Sequence, residues 1–173
     1  MIAVDFRSLI KDVPDFPKKG IVFKDITPLL ADPGAFAAVI DKLAEPFAGK
    51  GIEVVAGIES RGFLLATAVA YTLKAGVVPI RKKGKLPRQT VSASYDLEYG
   101  QDSLEAHRDA FAPGTKVLLI DDVLATGGTA QAASRVLTDL KGDIRGTAFL
   151  IELGFLKGRE KLNGRSVHSL ITY

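Results

Sequence analysis

The sequence predicts an α/β fold in which a mainly parallel central sheet is flanked by helices, and three observations lead to this class. Short apolar runs alternate with longer stretches of helical character, an order typical of strand–helix–strand units with parallel strands. Apolar residues make up 47% and charged residues 25% of the chain, as in ordinary globular proteins. Its 173 residues fit one domain, so we expect residues 1–173 to form a single domain.

The first elements along the chain are an arm and a helix. Residues 12–30 are apolar but interrupted by prolines and glycine, which predicts an extended N-terminal hood over the core. Asp32 is a suitable N-cap for the helix that follows, and Pro33 suits its first position. We expect this helix to continue to about Phe47.

The next elements form a strand–helix–strand unit. Residues 53–58 are continuously apolar after one acid, which predicts a buried strand. Residues 62–74 are apolar on most sides of a helix, and Gly76 is expected to end that helix. Residues 77–80 give a second strand.

A change of character follows, because the chain from residue 81 to 114 is long, polar and rich in basic residues. A segment of this kind in a compact domain is usually a functional lid, and we expect a mobile loop at about residues 81–101. The apolar run 116–120 predicts the central strand. The remaining elements are a helix over 127–141 and two strands over 147–152 and 167–172.

Composition excludes several classes of site and partner. The chain has no cysteine and only two histidines, His107 and His168, so neither a thiolate nucleophile nor a histidine metal site is expected. No apolar run reaches the roughly 18 residues that suggest a membrane span, and the N-terminus lacks a signal-peptide pattern, which predicts a cytoplasmic protein without a membrane partner. A net charge of +3 does not indicate a nucleic-acid partner.

The strongest motif is an acid pair, Asp121 and Asp122, between an apolar strand and a helix that begins with small residues. Gly127 and Gly128 let an anion approach the unpaired N–H groups at the positive end of the helix. Two carboxylates would repel a bare phosphate chain, but they suit a ligand with hydroxyls beside its phosphate, such as ribose 5-phosphate. The alternative is a solvated strand end followed by a helix cap.

The string from Asp121 to Thr129 resembles the binding signature of the type I phosphoribosyltransferases. The resemblance implies that Asp121 and Asp122 hold the ribose hydroxyls of 5-phosphoribosyl 1-pyrophosphate, used with Mg²⁺ as cofactor. We expect substrate oxygens and water to hold most of the Mg²⁺ shell, so no dedicated metal ligand is assigned. The implied 5-phosphate loop consists of Ala125, Thr126, Gly127, Gly128 and Thr129.

Three further segments resemble those of the adenine phosphoribosyltransferases: 15–26 the base-binding hood, 57–63 the pyrophosphate loop, and 81–87 with 94–100 the mobile catalytic loop. The likeness covers about residues 12–152 and implies transfer of the phosphoribosyl group to adenine in purine salvage, giving AMP and pyrophosphate. It also implies a homodimer. One departure is Lys24, which stands where arginine is often found.

The pyrophosphate and proton-transfer roles are assigned to charged residues of these segments. Arg61 follows a strand, and its guanidinium suits a pair of pyrophosphate oxygens. The resemblance implies that Glu98 manages the proton that adenine must lose as its ring nitrogen attacks. By sequence alone, Glu98 is one acid in a polar loop. Further pyrophosphate contacts are assigned to the basic residues Arg81, Lys82 and Lys85. Arg81 especially is implied to reach a neighbouring subunit.

Adenine recognition is assigned to the hood. The exocyclic amine and N1 of adenine match a peptide C=O and N–H, which the backbone of Val22 and Lys24 can offer, and the family places Phe23 beside the ring. Periodicity alone would make residues 21–23 plain core. Two other functions stay open: transfer to another base, such as hypoxanthine, xanthine or orotate, and a catalytically weak regulator that binds the same sugar phosphate. A DNA-reading regulator would need an added domain, for which the chain has no length.

Overall fold

The computed structural model describes residues 5–97 and 100–173. The chain divides into two compact units, Met1–Lys42 and Leu43–Tyr173. No helix in the described ranges is long and apolar enough to cross a membrane.

The smaller unit contains a two-stranded antiparallel sheet and short helical segments. Strand β1 (Lys11–Val13) pairs with β2 (Phe23–Asp25), and helix α1 (Thr27–Ala31) follows at once. Helix α2 (Pro33–Ala44) begins as predicted, because the Asp32 carboxylate caps it by accepting the Ala35 N–H at 2.8 Å. The end of α2 and the 3₁₀ turn Glu45–Phe47 that follows it belong to the larger unit, and this turn reaches the predicted end of the helical stretch.

The larger unit is built on one sheet that has seven strands in the described part of the chain, in the order β5-β6-β4-β3-β7-β8-β9. Neighbours from β4 to β9 are parallel, and β5 and β6 run antiparallel at one edge, so the predicted mainly parallel sheet is confirmed. The strands are β3 (Val54–Ile58), β4 (Gly76–Lys82), β5 (Thr90–Asp96), β6 (Gln101–His107), β7 (Lys116–Leu124), β8 (Asp143–Glu152) and β9 (Val167–Thr172).

Two helices flank this sheet, α3 (Arg61–Leu73) and α4 (Gly128–Asp139). Helix α3 packs on β3 and β7, and α4 packs on β5 and β6. Close packing of α3 requires a missing side chain, since a Cβ atom on Gly57 would lie 2.6 Å from the Ala66 Cβ. Each helix buries a face of small and aliphatic residues: Leu65, Ala66, Val69 and Ala70 of α3, and Ala132, Ala133, Val136 and Leu137 of α4.

The end of α3 differs from the prediction. Lys74 adopts the left-handed conformation (φ 59°) and its N–H caps the helix on the carbonyls of Ala70 and Tyr71. Gly76 does not end the helix but begins β4. A glycine is the commonest residue for this conformation, which is why Gly76 attracted the prediction.

The segment predicted as a lid contains two regular strands. β5 and β6 pair over their whole length, and along β5 half-buried and exposed residues alternate from Val91 to Asp96. This period-two pattern belongs to an antiparallel strand with one solvated face. The small polar residues Ser92 and Ser94 on that exposed face made the segment look like a loop. Whether residues 81–101 move stays a prediction.

Candidate active site

An open cleft of about 410 Å³ lies in the larger unit where β3 and β7 reach their carboxyl ends, as expected for ligands of a parallel sheet. It is the candidate active-site cleft and combines carboxylates, cations and hydroxyls. Its lining residues are Ile58, Glu59, Ser60, Arg61, Lys82, Tyr95, Leu104, Asp121, Asp122, Val123 and Thr129. Residues predicted from separate segments therefore lie together in this cleft: the acid pair Asp121 and Asp122, Thr129 of the phosphate loop, and the basic residues Arg61 and Lys82.

The acid pair is buried inside β7, which continues past the predicted strand end. The Asp122 N–H donates to the Asp121 Oδ1 at 2.9 Å. Burial, and then the neighbouring Asp122 charge, raise the pKa of Asp121 well above its ordinary value. Helix α3 begins directly against this pair, since a Cβ on Gly62 would lie 2.8 Å from Asp121 Oδ1. Only glycine at position 62 allows that approach.

Arg61 lies at the start of α3 and forms an ion pair with Asp122 through its Nε. The two residues were predicted separately, one for pyrophosphate and one for ribose. The structure brings them together across 61 positions of sequence. Their contact orients the guanidinium over the cleft beside the acid pair.

The predicted phosphate loop joins β7 to α4 and depends on a glycine from another segment. Gly127 is the left-handed N-cap of α4 (φ 83°), and its carbonyl accepts the Gln131 N–H at 2.9 Å. A Cβ on Gly127 would lie 2.3 Å from the Gly158 carbonyl oxygen, and a Cβ on Gly158 would lie 2.2 Å from that of Ala125. The backbone of the phosphate loop is therefore in direct contact with the backbone of Gly158. The first N–H groups of α4 remain at the open end of the helix, where anions bind.

The 3₁₀ turn that contains Gly158 is anchored by an ion pair between Arg159 and Glu152. The Arg159 guanidinium donates from Nε to Glu152 Oε1 at 3.0 Å and from Nη1 to the Val167 carbonyl at 2.9 Å. The hydrogen bond from Arg159 keeps the pKa of the buried Glu152 below its ordinary value. The 3₁₀ turn Gly158–Leu162 is thereby tied to β8 and β9.

We expect Arg159→Gln to lower the free energy of unfolding by about 1.5–3 kcal/mol at neutral pH, the typical contribution of hydrogen bonds to a charged group. Because the pKa of Glu152 is lower in the folded state, this stabilisation is present above about 4.5, the ordinary value, and is lost as the pH falls through the folded pKa. Urea unfolding of both proteins from pH 7 to pH 3 measures it. A difference that does not shrink at low pH would contradict the assignment to this ion pair.

Glu59 contacts three residues of the basic segment 81–85. The sequence did not predict this role. The Glu59 side chain is about 10% exposed and accepts the Lys82 backbone N–H at 2.9 Å. It also binds Lys85 Nζ at 2.5 Å and pairs with Arg81 Nε at 3.4 Å. Burial acts to raise its pKa, but the hydrogen bonds from Lys85 and Lys82 outweigh it and hold the pKa below the ordinary value. A single acid after a strand gave no signal in the sequence.

Lys82, another of the residues predicted to bind pyrophosphate, forms an ion pair with Asp102. Lys82 Nζ lies 3.1 Å from Asp102 Oδ2, and the Tyr95 hydroxyl donates to the same oxygen at 3.3 Å. Burial, and then the Asp102 charge, raise the pKa of Tyr95. Among the residues that line the cleft is Lys82, whereas Arg81 and Lys85 lie outside that lining and contact Glu59.

The other predicted residues lie elsewhere. Val22, Phe23 and Lys24 belong to the smaller unit, where the Phe23 ring packs edge-on to Phe16 at 5.1 Å and Lys24 Nζ binds Asp12 at 2.7 Å. Glu98 lies outside the described residues.

The oxygen atoms of the cleft meet part of what Mg²⁺ needs. In the described ranges no three His, Cys, Asp or Glu residues form a group that could hold a metal ion. The cleft does contain the oxygens of Asp121 and Asp122, and Mg²⁺ in phosphate-binding sites is commonly held by one or two carboxylates with substrate phosphates and water. These residues therefore fit an ion that is shared with a phosphorylated substrate.

Comparison with known proteins gives one consistent result. Residues 26–163 match the family model described as phosphoribosyl transferase domain. The adenine phosphoribosyltransferase of Geobacter metallireducens is 55% identical over 169 residues, covering 98% of this chain and 99% of its own length. The crystal structure of the adenine phosphoribosyltransferase from Rhodothermus marinus is 51% identical with a TM-score of 0.94, covering 97% of this chain and 96% of that one. The Giardia lamblia enzyme complexed with 9-deazaadenine is 40% identical with a TM-score of 0.92, covering 98% and 96% of the two chains.

Proposed function

The chain belongs to the phosphoribosyl transferase domain family and within it to the adenine phosphoribosyltransferases, and on this premise we propose how its cleft joins adenine to phosphoribose. The enzyme transfers the 5-phosphoribosyl group of 5-phosphoribosyl 1-pyrophosphate to adenine, giving AMP and pyrophosphate in purine salvage. The observation that carries the proposal is the meeting of the acid pair, the glycine loop and Arg61 at one end of the sheet.

The ribose 5-phosphate is held by β7 and the loop after it. Asp121 and Asp122 bind the two ring hydroxyls, which can donate to the carboxylate oxygens. Asp122 is held in place by its ion pair with Arg61. The 5-phosphate is assigned to the helix N-terminus at residues 125–129, because the first N–H groups of a helix have no partner within it and attract anions.

The departing pyrophosphate is neutralised by Arg61, Arg81, Lys82 and Lys85. In this structure each of the four has a carboxylate partner: Asp122, Glu59, Asp102 and Glu59 respectively. Substrate binding therefore exchanges one set of anionic partners for another. Mg²⁺, when bound, supplies further positive charge to the pyrophosphate oxygens. No dedicated protein ligand for it is proposed.

The base is assigned to the hood, and its proton is assigned to Glu98. The backbone of Val22 and Lys24 reads adenine, with Phe23 beside the ring, and binding through main-chain atoms explains why lysine is tolerated at position 24. Glu98 takes the proton that adenine loses as its ring nitrogen attacks. The complex of the Giardia lamblia relative with 9-deazaadenine supports a purine in this role.

The assembly and location are proposed on the family likeness. The enzyme is a cytoplasmic homodimer in which Arg81 especially reaches the neighbouring subunit's site. Its partners are the small-molecule substrates, with neither nucleic acid nor membrane among them.

Replacing Asp122 with asparagine tests the ribose site. The variant loses one of the two carboxylates and the ion pair with Arg61, so we expect the Kd for 5-phosphoribosyl 1-pyrophosphate to rise about 10-fold or more, the equivalent of one charged hydrogen bond. Calorimetric titration measures it, with Asp139→Asn, an exposed position on α4, as control. Unchanged affinity would count against the acid pair as the ribose site.

An absorbance assay with phosphoribosyl pyrophosphate, Mg²⁺ and adenine, hypoxanthine, guanine, xanthine or orotate tests the whole proposal. We expect nucleotide from adenine alone. Turnover with a different base would retain the sugar-phosphate site but overturn the assignment of the hood. Substrate binding without turnover on any base would make the chain a regulator.

A further inference from the structure

A second polar pocket of about 190 Å³ lies on α4, and it shares no lining residue with the active-site cleft. We call it the α4 pocket. It is lined by Gln131, Ser134, Arg135, Lys161, Leu162, Asn163 and Arg165. Three residues come from α4 and four from the end of the 3₁₀ turn and the residues after it. None of them has a place in the proposed transfer reaction.

The α4 pocket is strongly cationic. Arg135, Lys161 and Arg165 line it, and none of its lining residues in the described ranges is acidic. No ion pair joins these three cations to a carboxylate in the described part of the chain, in contrast to the four basic residues of the active site. Repulsion between uncompensated charges is unfavourable, and a bound anion removes it.

Two of the cations are fixed in place by hydrogen bonds to neutral groups. The Arg135 guanidinium donates from Nη2 to the Ser94 carbonyl, and Arg165 Nη2 donates to Thr138 Oγ1 at 3.2 Å. These contacts orient the guanidinium groups without neutralising them. Gln131 and Asn163 add side-chain amides, which are further donors.

Ser134 gives an independent indication of a ligand. The residue is 4% exposed, lines the α4 pocket, and its hydroxyl has no hydrogen-bond partner among the described residues. Buried hydroxyls in folded proteins nearly always have a partner, because leaving one unsatisfied is unfavourable. An acceptor bound in the pocket would supply it.

From these observations we propose that the α4 pocket binds the phosphate groups of a small polyphosphate or phosphate ester. Three positive charges match a multiply charged anion better than a monovalent carboxylate, and arginine forks suit phosphate oxygens. The volume lies below the roughly 300 Å³ at which pockets for drug-sized ligands begin, so the pocket accepts phosphate groups and leaves any attached base or sugar outside. None of the residues of this site is assigned a role in the transferase reaction, although Gln131, Arg135 and Lys161 also line a neighbouring pocket that includes Gly128.

Calorimetric titration with inorganic tripolyphosphate tests the proposal, and the data are fitted to two sites because tripolyphosphate can also occupy the pyrophosphate position of the active site. We expect the double variant Lys161→Gln/Arg165→Gln to weaken binding at the α4 pocket at least 10-fold and to leave the other site unchanged. The control Lys42→Gln/Arg145→Gln removes two positive charges at other exposed positions and is expected to bind as the unmodified protein does. Absence of binding, or equal affinity in the pocket variant and the unmodified protein, would overturn the proposal.

Ser134→Ala separates a ligand role from a structural one. Because the buried hydroxyl has no partner, we expect the ligand-free variant to melt at the same temperature or higher, while its affinity for tripolyphosphate falls about 5-fold. A lower melting temperature with unchanged affinity would show that Ser134 serves the fold, and would overturn its place in the site. Orthophosphate titration identifies the ligand form: tighter binding of tripolyphosphate supports a phosphate chain, and equal binding supports a single group.

Transferase activity without polyphosphate distinguishes this proposal from the function itself. We expect the pocket variants to form AMP at the unmodified rate. Loss of adenine transfer in every protein, with tripolyphosphate binding still dependent on Lys161 and Arg165, would support the α4 pocket while overturning the proposed function.

Discussion

Gly127→Ala is expected to reduce kcat/KM for 5-phosphoribosyl 1-pyrophosphate by about 100-fold or more, the usual scale for losing preorganised backbone donors. The new Cβ would lie 2.3 Å from the Gly158 carbonyl oxygen, at a backbone φ of 83° that disfavours any side chain. The loop must move to relieve the contact, and the N–H groups at the start of α4 then lose their common direction. Steady-state kinetics with varied phosphoribosyl pyrophosphate measures the loss.

Gly114→Ala is the matched control, because Gly114 has the same φ of 83° and nothing within 4 Å of an added Cβ. Both variants bear the cost of a left-handed alanine, about 1–2 kcal/mol of unfolding free energy. Only Gly127→Ala should lose substrate affinity. Equal activity in the two variants, after correction for stability, would show that the loop at 125–129 does not bind the 5-phosphate.

Glu98→Ala is expected to lower kcat by about 10²–10⁴-fold, the usual contribution of a positioned acid or base. The Kd for phosphoribosyl pyrophosphate should stay within about 2-fold, because the proposed role concerns the proton of adenine. Single-turnover kinetics and calorimetry of the same variant separate the two quantities. Parallel loss of binding and turnover would make Glu98 a structural residue.

Asp96→Ala controls for the general effect of removing an acid from this segment. Asp96 ends β5 and accepts a hydrogen bond from Gln101 Nε2 at 3.0 Å. We expect its loss to change kcat by only a few fold. A decrease equal to that of Glu98→Ala would mean that the segment needs negative charge but no particular proton acceptor.

Features that depend on residues close together in the sequence could be predicted. The apolar runs at 54–58 and 117–120 predicted buried strands, although β7 continues to Leu124, and the Asp32 cap depends on residues three positions apart. The acid pair and glycine loop could likewise be interpreted from one string, because strand, loop and helix follow each other directly.

Features that depend on tertiary contact were not predictable. The pairing of Arg61 with Asp122 joins two segments that have no common pattern, and Glu59 acquires its three basic partners only because β3 and β4 end side by side. The β5–β6 hairpin was missed for a different reason. The solvent-exposed face of β5 carries polar residues, so the sequence looked like a polar loop. Its alternation of half-buried and exposed residues became evident only from its pairing with β6.

The contact between Gly127 and Gly158 has a consequence for protein synthesis. Ribosomes make the acid pair and the whole glycine loop some thirty residues before Gly158, so a nascent chain contains the complete motif while the backbone that supports it does not yet exist. A fragment that stops before Gly158 would still contain the whole string from Asp121 to Thr129. It would still be expected to lack the sugar-phosphate site, since the support comes from the late segment anchored by Arg159.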